Sequence, residues 1–409
     1  MTLPRTSPEP TGHRGHIAMF SIPAHGHVNP GLPVIAELVR RGWRVSYANT
    51  EDFRTAIEAT GATLVPYQTT LPFHENPEKW ADDMPSAVAA FLYEAIAVLP
   101  QLEKAYTEDR PDLVLYDIGA YCAPVLAHRW DLPIVQLSPT FVGWDGYEED
   151  MAEHLEPMRS ALTERGYYAD FEAWLAGNGI DTPVDHFVGR PRRCVAMVAP
   201  SIQPHREKVN DNYRLVGPCI GDRSHQGSWQ RPPGNRPVLL VSLGSAATNQ
   251  PGFFADCVRA FGDTDWQVVM SIGQHVDPAD LGEVPANIEV HRWVPQLAVL
   301  AQLSTSDAFV THAGMGGTSE GLVSGVPMVA VPQMTDGFSN AAQIEALGVG
   351  RQLLMEQVTP EALWAAVTEV STDPAVAERC RQVQHELRES GGTDRAVELV
   401  EGYLRDRSW

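Results

Sequence analysis

Two clusters of residues in this sequence have types and spacings that chemistry can use. The first is His25-Gly26-His27, within the turn-rich segment 23–30. An imidazole titrates near pH 6.5, so a histidine held in one tautomer by a partner can serve as a general base. Asp117 closes the apolar run at 113–118 and is a candidate partner, because parallel α/β sheets gather their strand ends along one edge. Taken alone, Asp117 reads better as a helix N-cap. A metal site would need more than the two histidines, and no cysteine, carboxylate or third histidine stands beside them, so no metal is expected.

The second cluster is His312-Ala-Gly-Met-Gly-Gly-Thr-Ser-Glu320, which follows an apolar strand and opens a helix. Gly314, Gly316 and Gly317 let the backbone approach a ligand, and the helix N-terminus offers amide donors and partial positive charge suited to a diphosphate. His312 can add a hydrogen bond to a phosphate oxygen. By itself the loop also fits a tight strand-to-helix turn that only packs. It is neither a Walker sequence nor a GxGxxG fingerprint, which disfavours a P-loop ATPase and an ordinary dehydrogenase. One strand upstream stands Arg292-Trp-Val-Pro-Gln-Leu297. The Trp293 indole can stack on a nucleobase while the Val294 amide reads the base edge, although a lone tryptophan is more often packing. Ser242-Leu-Gly-Ser245 ends another strand with small residues that can approach phosphate, a weak signal alone.

These clusters need a scaffold, and the pattern supplies one. A strand at 16–22, helical periodicity at Leu32, Ile35, Leu38 and Val39 and a strand at 43–48 make a βαβ unit, repeated at 113–137. Charged helical stretches fill 150–195, and 221–236 is a polar Gly- and Pro-rich linker. Five further strands are expected at 238–243, 267–271, 288–291, 308–311 and 328–331, with helices from about 360 to 407. The fold class is α/β, two doubly wound Rossmann-like domains in tandem, with ligands expected at strand carboxyl ends in the cleft between them. The expected division is a disordered tail at 1–15, an acceptor domain at 16–220, the linker at 221–236 and a nucleotide-sugar domain at 237–390.

Composition narrows the function classes. A chain of 409 residues favours two domains, and 44% hydrophobic with 20% charged residues describes a globular protein. The formal charge of −22 argues against nucleic-acid or anionic-membrane partners. Five scattered cysteines, no signal-peptide pattern and no run of about 20 uninterrupted apolar residues point to the cytoplasm. The oligomeric state is left open between monomer and homodimer.

In combination, HGHVNP, LVLYDI, VSLGSA, WVPQLAVL and FVTHAGMGGTSEGL followed by GVPMVAVPQ resemble the family 1 glycosyltransferases of the GT-B fold, the macrolide glycosyltransferases above all. The resemblance covers nearly the whole chain and implies an inverting, metal-independent transfer of a sugar, glucose from UDP-glucose first, to a hydroxyl of an apolar acceptor. It implies that His27 rather than His25 is the base and that Asp117 hydrogen-bonds it. Trp293 would stack on uracil with Gln296 near the base or ribose, His312 and the amides from Gly314 to Thr318 would bind diphosphate, and Glu320 would hold the ribose hydroxyls. The helix at 391–409 would cross back to the first domain. One departure stands out: where many members carry an Asp-Gln pair for the sugar hydroxyls, this chain has Asp336-Gly337.

Phe73, Trp80, Phe91, Phe141 and Trp144 are candidates to line the acceptor pocket, although more than half of such aromatics are core. Alternatives are a biosynthetic transferase using a dTDP-deoxysugar, a sugar-nucleotide epimerase, and a non-catalytic nucleotide-sugar-binding protein. The last requires His27 and Asp117 to lie far apart.

Overall fold

The structure is a computed structural model that describes residues 14–72, 83–244, 248–333 and 336–405. Its strands are β1 (His16–Phe20), β2 (Arg44–Asn49), β3 (Thr63–Pro66), β4 (Leu113–Asp117), β5 (Ile134–Ser138), β6 (Cys194–Ala196), β7 (Tyr213–Leu215), β8 (Val238–Ser242), β9 (Gln267–Ser271), β10 (Ile288–His291), β11 (Ala308–Thr311), β12 (Met328–Ala330) and β13 (Gly350–Gln352). One sheet has the order β3-β2-β1-β4-β5-β6-β7 and the other β10-β9-β8-β11-β12-β13. The chain divides into two compact units. The first holds the described residues up to 137, Glu148–Cys194 and those from 397 onward; the second holds Ser138–Tyr147 and Val195–Ala396. Both are Rossmann-like α/β units built on parallel pairings.

The central strands explain themselves. β1, β4, β8 and β11 are buried at every residue, and their near-continuous apolar sequences suit strands covered on both faces. In each sheet the strand order reverses beside the first strand of its series, between β1 and β4 and again between β8 and β11. Such a switch point splays the outgoing loops to opposite sides and leaves a crevice at the carboxyl ends. His27 follows β1 and Asp117 ends β4; Gly244 follows β8 and His312 follows β11. Register aligns Thr311 with Ser242, which brings the last two together.

The strand expected to reach residue 22 stops at Phe20, and the turn-rich segment after it contains a four-residue helix, His25–Val28. β3, β6, β7 and β13 were not expected; β7 and β13 are each interrupted by an arginine, Arg214 and Arg351, whereas the equally short β12 is wholly apolar. The helix Met84–Ala105 has the length and composition of a membrane span, yet Ala89, Leu92, Ala95, Val98, Leu99 and Leu102 pack into the first unit's core with Phe20 of β1. All five cysteines are buried and unbridged.

Candidate active site

In the first unit a buried polar network fixes the exit from β1. The Asn49 side chain donates to the Ser21 carbonyl at 3.1 Å and to its hydroxyl at 2.9 Å, and the Tyr67 hydroxyl donates to the same carbonyl at 3.0 Å. Tyr47 and Ser21 share a further hydroxyl–hydroxyl bond of 2.9 Å. Sequence reasoning did not single out these residues, because their partners lie 26 to 46 positions apart and meet only in the folded chain. Beyond Ser21 the helix His25–Val28 starts from the extended Ala24, whose carbonyl accepts from the amides of His27 and Val28 at 2.9 Å.

That turn separates the two histidines. His25 packs edge-on against Phe53 with ring centroids 5.1 Å apart. The Nδ1 of His27 lies 2.7 Å from Oδ1 of Asp117. A carboxylate only accepts, so Nδ1 carries the proton and Nε2 becomes the basic nitrogen. Asp117 is buried, with a side chain 1% exposed, whereas that of His27 is 26% exposed. The other oxygen of Asp117 accepts from the Gly119 amide at 3.0 Å. The next helix begins at Cys122 with Tyr121 as its cap, so Asp117 closes a local turn and does not cap that helix. A side chain at Gly119 would crowd Ile22 at 3.0 Å, which keeps the loop below Asp117 tight.

In the second unit His312 is clasped between two glycines. A Cβ at Gly244 or at Gly314 would stand 2.4 Å from an atom of its ring. Gly244 has φ +78° and Ala313 φ +60°, so both loops turn through left-handed backbone beside the imidazole. The His312 Nδ1 is buried and has no hydrogen-bond partner. Burial lowers the pKa of His312, opposed in part by the negative charge of Asp336. The ring is therefore neutral at neutral pH, a state that can donate one hydrogen bond.

Gly314 caps the helix Met315–Ser324 without a side-chain hydrogen bond, so its first-turn amides remain available to an anion. Thr318 in that turn is fully buried and its hydroxyl has no partner. Gly316 has open space about its Cα, while Gly317 faces the Thr311 hydroxyl. The Ser242 hydroxyl lies 3.4 Å from the Gly244 amide. Trp293 is 51% exposed, Val294 beside it is buried, and Gln296 opens the next helix.

Glu320 is buried and carries two partners. Arg223 donates to Oε1 at 2.5 Å and Gln296 to Oε2 at 2.8 Å. Arg223 was read only as linker; a charged residue in a polar stretch gives no sign of its partner nearly a hundred residues on. Asp336 starts the helix Asp336–Ala346 and accepts from Asn340, whose amide also reaches the Ala313 carbonyl at 2.8 Å. A Cβ at Gly337 would stand 2.9 Å from the His312 carbonyl oxygen. Close approach of these two segments gives the missing glutamine a steric reason.

The acceptor candidates are dispersed. Phe91 packs beside the first unit's core, edge-on to Tyr121 at 6.4 Å. Phe141 packs against the second unit's core, and Trp144 is buried in that unit between Tyr147 and His205. Phe73, Trp80 and Ser245 lie outside the described residues. Among the described residues no three His, Cys, Asp or Glu side chains gather as metal ligands.

Comparison with known proteins bears on this arrangement. The UDP-glucoronosyl and UDP-glucosyl transferase family matches residues 224–407. The chain is 51% identical to the oleandomycin glycosyltransferase of Streptomyces antibioticus over 399 residues, 96% of this chain and 91% of that protein. It is 34% identical to the NDP-glycosyltransferase YjiC of Bacillus subtilis (strain 168), over 95% of this chain and 97% of that one. The crystal structure of the glycotransferase of kitacinnamycin superposes with a TM-score of 0.87 at 46% identity, covering 96% of this chain and 99% of that chain. Identity of this extent, on two parallel-sheet units whose switch points carry the histidines, makes the chain a member of the UDP-glucoronosyl and UDP-glucosyl transferase family, a family 1 glycosyltransferase of the GT-B fold.

Proposed function

We propose that this glycosyltransferase moves glucose from UDP-glucose, with inversion, to a hydroxyl of a macrolide or similar apolar natural product and thereby inactivates it. The observation that carries the chemistry is the 2.7 Å bond between His27 and Asp117. His27 Nε2 takes the acceptor hydroxyl proton while the oxygen forms a bond to the anomeric carbon. The bond from that carbon to the diphosphate breaks, and UDP leaves with the electron pair. Asp117 holds the ring and stabilises the imidazolium. Charge on the departing diphosphate is met by the first-turn amides of Met315–Ser324 and by neutral His312, so no metal ion is invoked. Trp293 stacks on the base beside the Val294 amide, and Glu320 with Gln296 serves the ribose.

The choice of a macrolide rests on the likeness to the oleandomycin enzyme, and the choice of glucose on the same family resemblance. Five buried free thiols fit a reducing compartment, and we place the reaction in the cytoplasm, carried out by a monomer or homodimer without a nucleic-acid or membrane partner. Gly337 favours a second reading in which the donor sugar differs, including a dTDP-deoxysugar, because the amide that would read sugar hydroxyls is missing.

The test uses purified protein, UDP-glucose and oleandomycin. His27→Ala is expected to lower transfer by about 10²–10⁴-fold while UDP titrates as for wild type. Transfer near the wild-type rate would remove His27 from the base role. A panel of UDP- and dTDP-sugars separates the two donors: strict use of UDP-glucose excludes the second reading, and turnover only with dTDP-sugars excludes the first.

A further inference from the structure

The environment of Glu320 holds a feature that the transfer chemistry does not explain. This carboxylate sits within the helix Met315–Ser324, its side chain is 5% exposed, and it faces a guanidinium from the polar stretch preceding β8. Arg223 is itself only 19% exposed. A buried carboxylate loses its hydration and must recover hydrogen bonds from the protein or from a ligand. Here each oxygen receives one: Oε1 from Arg223 at 2.5 Å and Oε2 from Gln296 at 2.8 Å. A carboxylate offers about four lone-pair sites, two on each oxygen. The protein thus uses one on each side and leaves one on each side.

We propose that Arg223 is a positioning residue that sets Glu320 to accept from a vicinal cis-diol, and so selects ribonucleotide over 2′-deoxyribonucleotide donors. The proposal rests on the ribose role given to Glu320 above. The two remaining acceptors are bridged by one carboxyl carbon, a spacing that suits two hydroxyls on adjacent carbons of a ribose. A 2′-deoxynucleoside fills only one and strands the other in a buried setting. Sites built to receive a hydroxyl discriminate strongly against the analogue that lacks it, because the orphaned polar group is costly. Without Arg223 the carboxylate is held by Gln296 alone and can turn, and the paired presentation of the two acceptors is lost. Arg223 touches neither sugar nor phosphate in this scheme and acts only through Glu320.

The experiment is a calorimetric titration of UDP and 2′-dUDP into wild type, Arg223→Ala, Arg223→Lys and Glu320→Ala, with thermal melts on each. Wild type is expected to favour UDP by about tenfold or more. Arg223→Ala should weaken UDP by about tenfold, leave 2′-dUDP little changed and so collapse the ratio, while Arg223→Lys restores part of it. In steady state the loss should fall on the KM for UDP-glucose rather than on kcat. A wild-type UDP to 2′-dUDP ratio in Arg223→Ala would overturn the proposal, as would equal weakening of both nucleotides, which is what a merely structural role produces. Glu320→Ala keeps the two levels apart. If it retains the ratio, the ribose role of Glu320 fails; if it loses the ratio while Arg223→Ala keeps it, only the role of Arg223 fails.

Discussion

The histidine that follows β1 and the histidine that follows β11 both leave strands that flank a switch point, one in each sheet, yet their surroundings differ in what governs proton chemistry. His27 has a carboxylate 2.7 Å from Nδ1 and a partly exposed ring. His312 has a buried Nδ1 without a partner, and two glycines press on its ring. A carboxylate partner raises the basicity of the far nitrogen and stabilises the charged ring, which a base requires. Burial without such a partner holds the ring neutral, which suits a donor facing an anion that arrives already charged. The same residue type, each time beside a switch point, is thus turned to opposite uses by what packs against it.

Removing the partner is the strongest way to break that contrast. Asp117→Asn keeps the shape but lets the side chain donate, so the wrong tautomer of His27 is favoured. Transfer should fall by about 10²–10⁴-fold with UDP binding unchanged, measured as initial rates beside calorimetry. On the donor side Trp293→Ala removes an exposed ring and little packing. Nucleotide affinity should drop by about tenfold to a hundredfold while the melting temperature stays near wild type. A matching loss of thermal stability would show that the indole is a packing residue after all.

The clasp around His312 is best probed at Gly314, whose φ of −60° an alanine tolerates, so only the clash with the ring is tested. Gly314→Ala should destabilise the fold by about 1–3 kcal/mol in denaturant titration and weaken UDP binding as the ring shifts. Smallest is a pH effect. The lowered pKa of His312 means that the unfolded chain takes up a proton that the folded chain resists. This group's stabilising share is full above pH 6.5 and declines as the pH falls from there towards its folded pKa. His312→Asn should flatten the slope of melting temperature below pH 6.5. It does so only in part, since burial and Arg44 also lower the pKa of His16, which adds a slope of the same sign.

Much of the scaffold was legible because β1, β4, β8 and β11 are apolar runs followed by turn chemistry. The same property made the two switch-point loops stand out, since glycine and histidine clusters interrupt otherwise continuous core sequence. The strands β7 and β13 were hidden by an arginine in each, Arg214 and Arg351, whereas the equally short but wholly apolar β12 did register. Long-range partners were the harder part. Nothing local marks Arg223 as the companion of Glu320, or Asn340 as the link from Asp336 to the Ala313 carbonyl, because such pairs exist only once the chain is folded. Nor could spacing alone place Phe91, Phe141 and Trp144 in their different cores.

The first unit also has a feature that bears on how the protein is made. It includes residues from 397 onward, where Glu401 accepts from the Trp43 indole at 2.9 Å and from Arg14 at 2.7 Å. A ribosome adds roughly 5–20 residues per second and hides the newest ones in its tunnel. The first unit is therefore completed only after the segments of the second unit have emerged. Until Glu401 is made and has cleared the tunnel, Trp43 lacks this partner for its indole N–H, so a deletion that removes Glu401 should damage the part of the fold that was synthesised first.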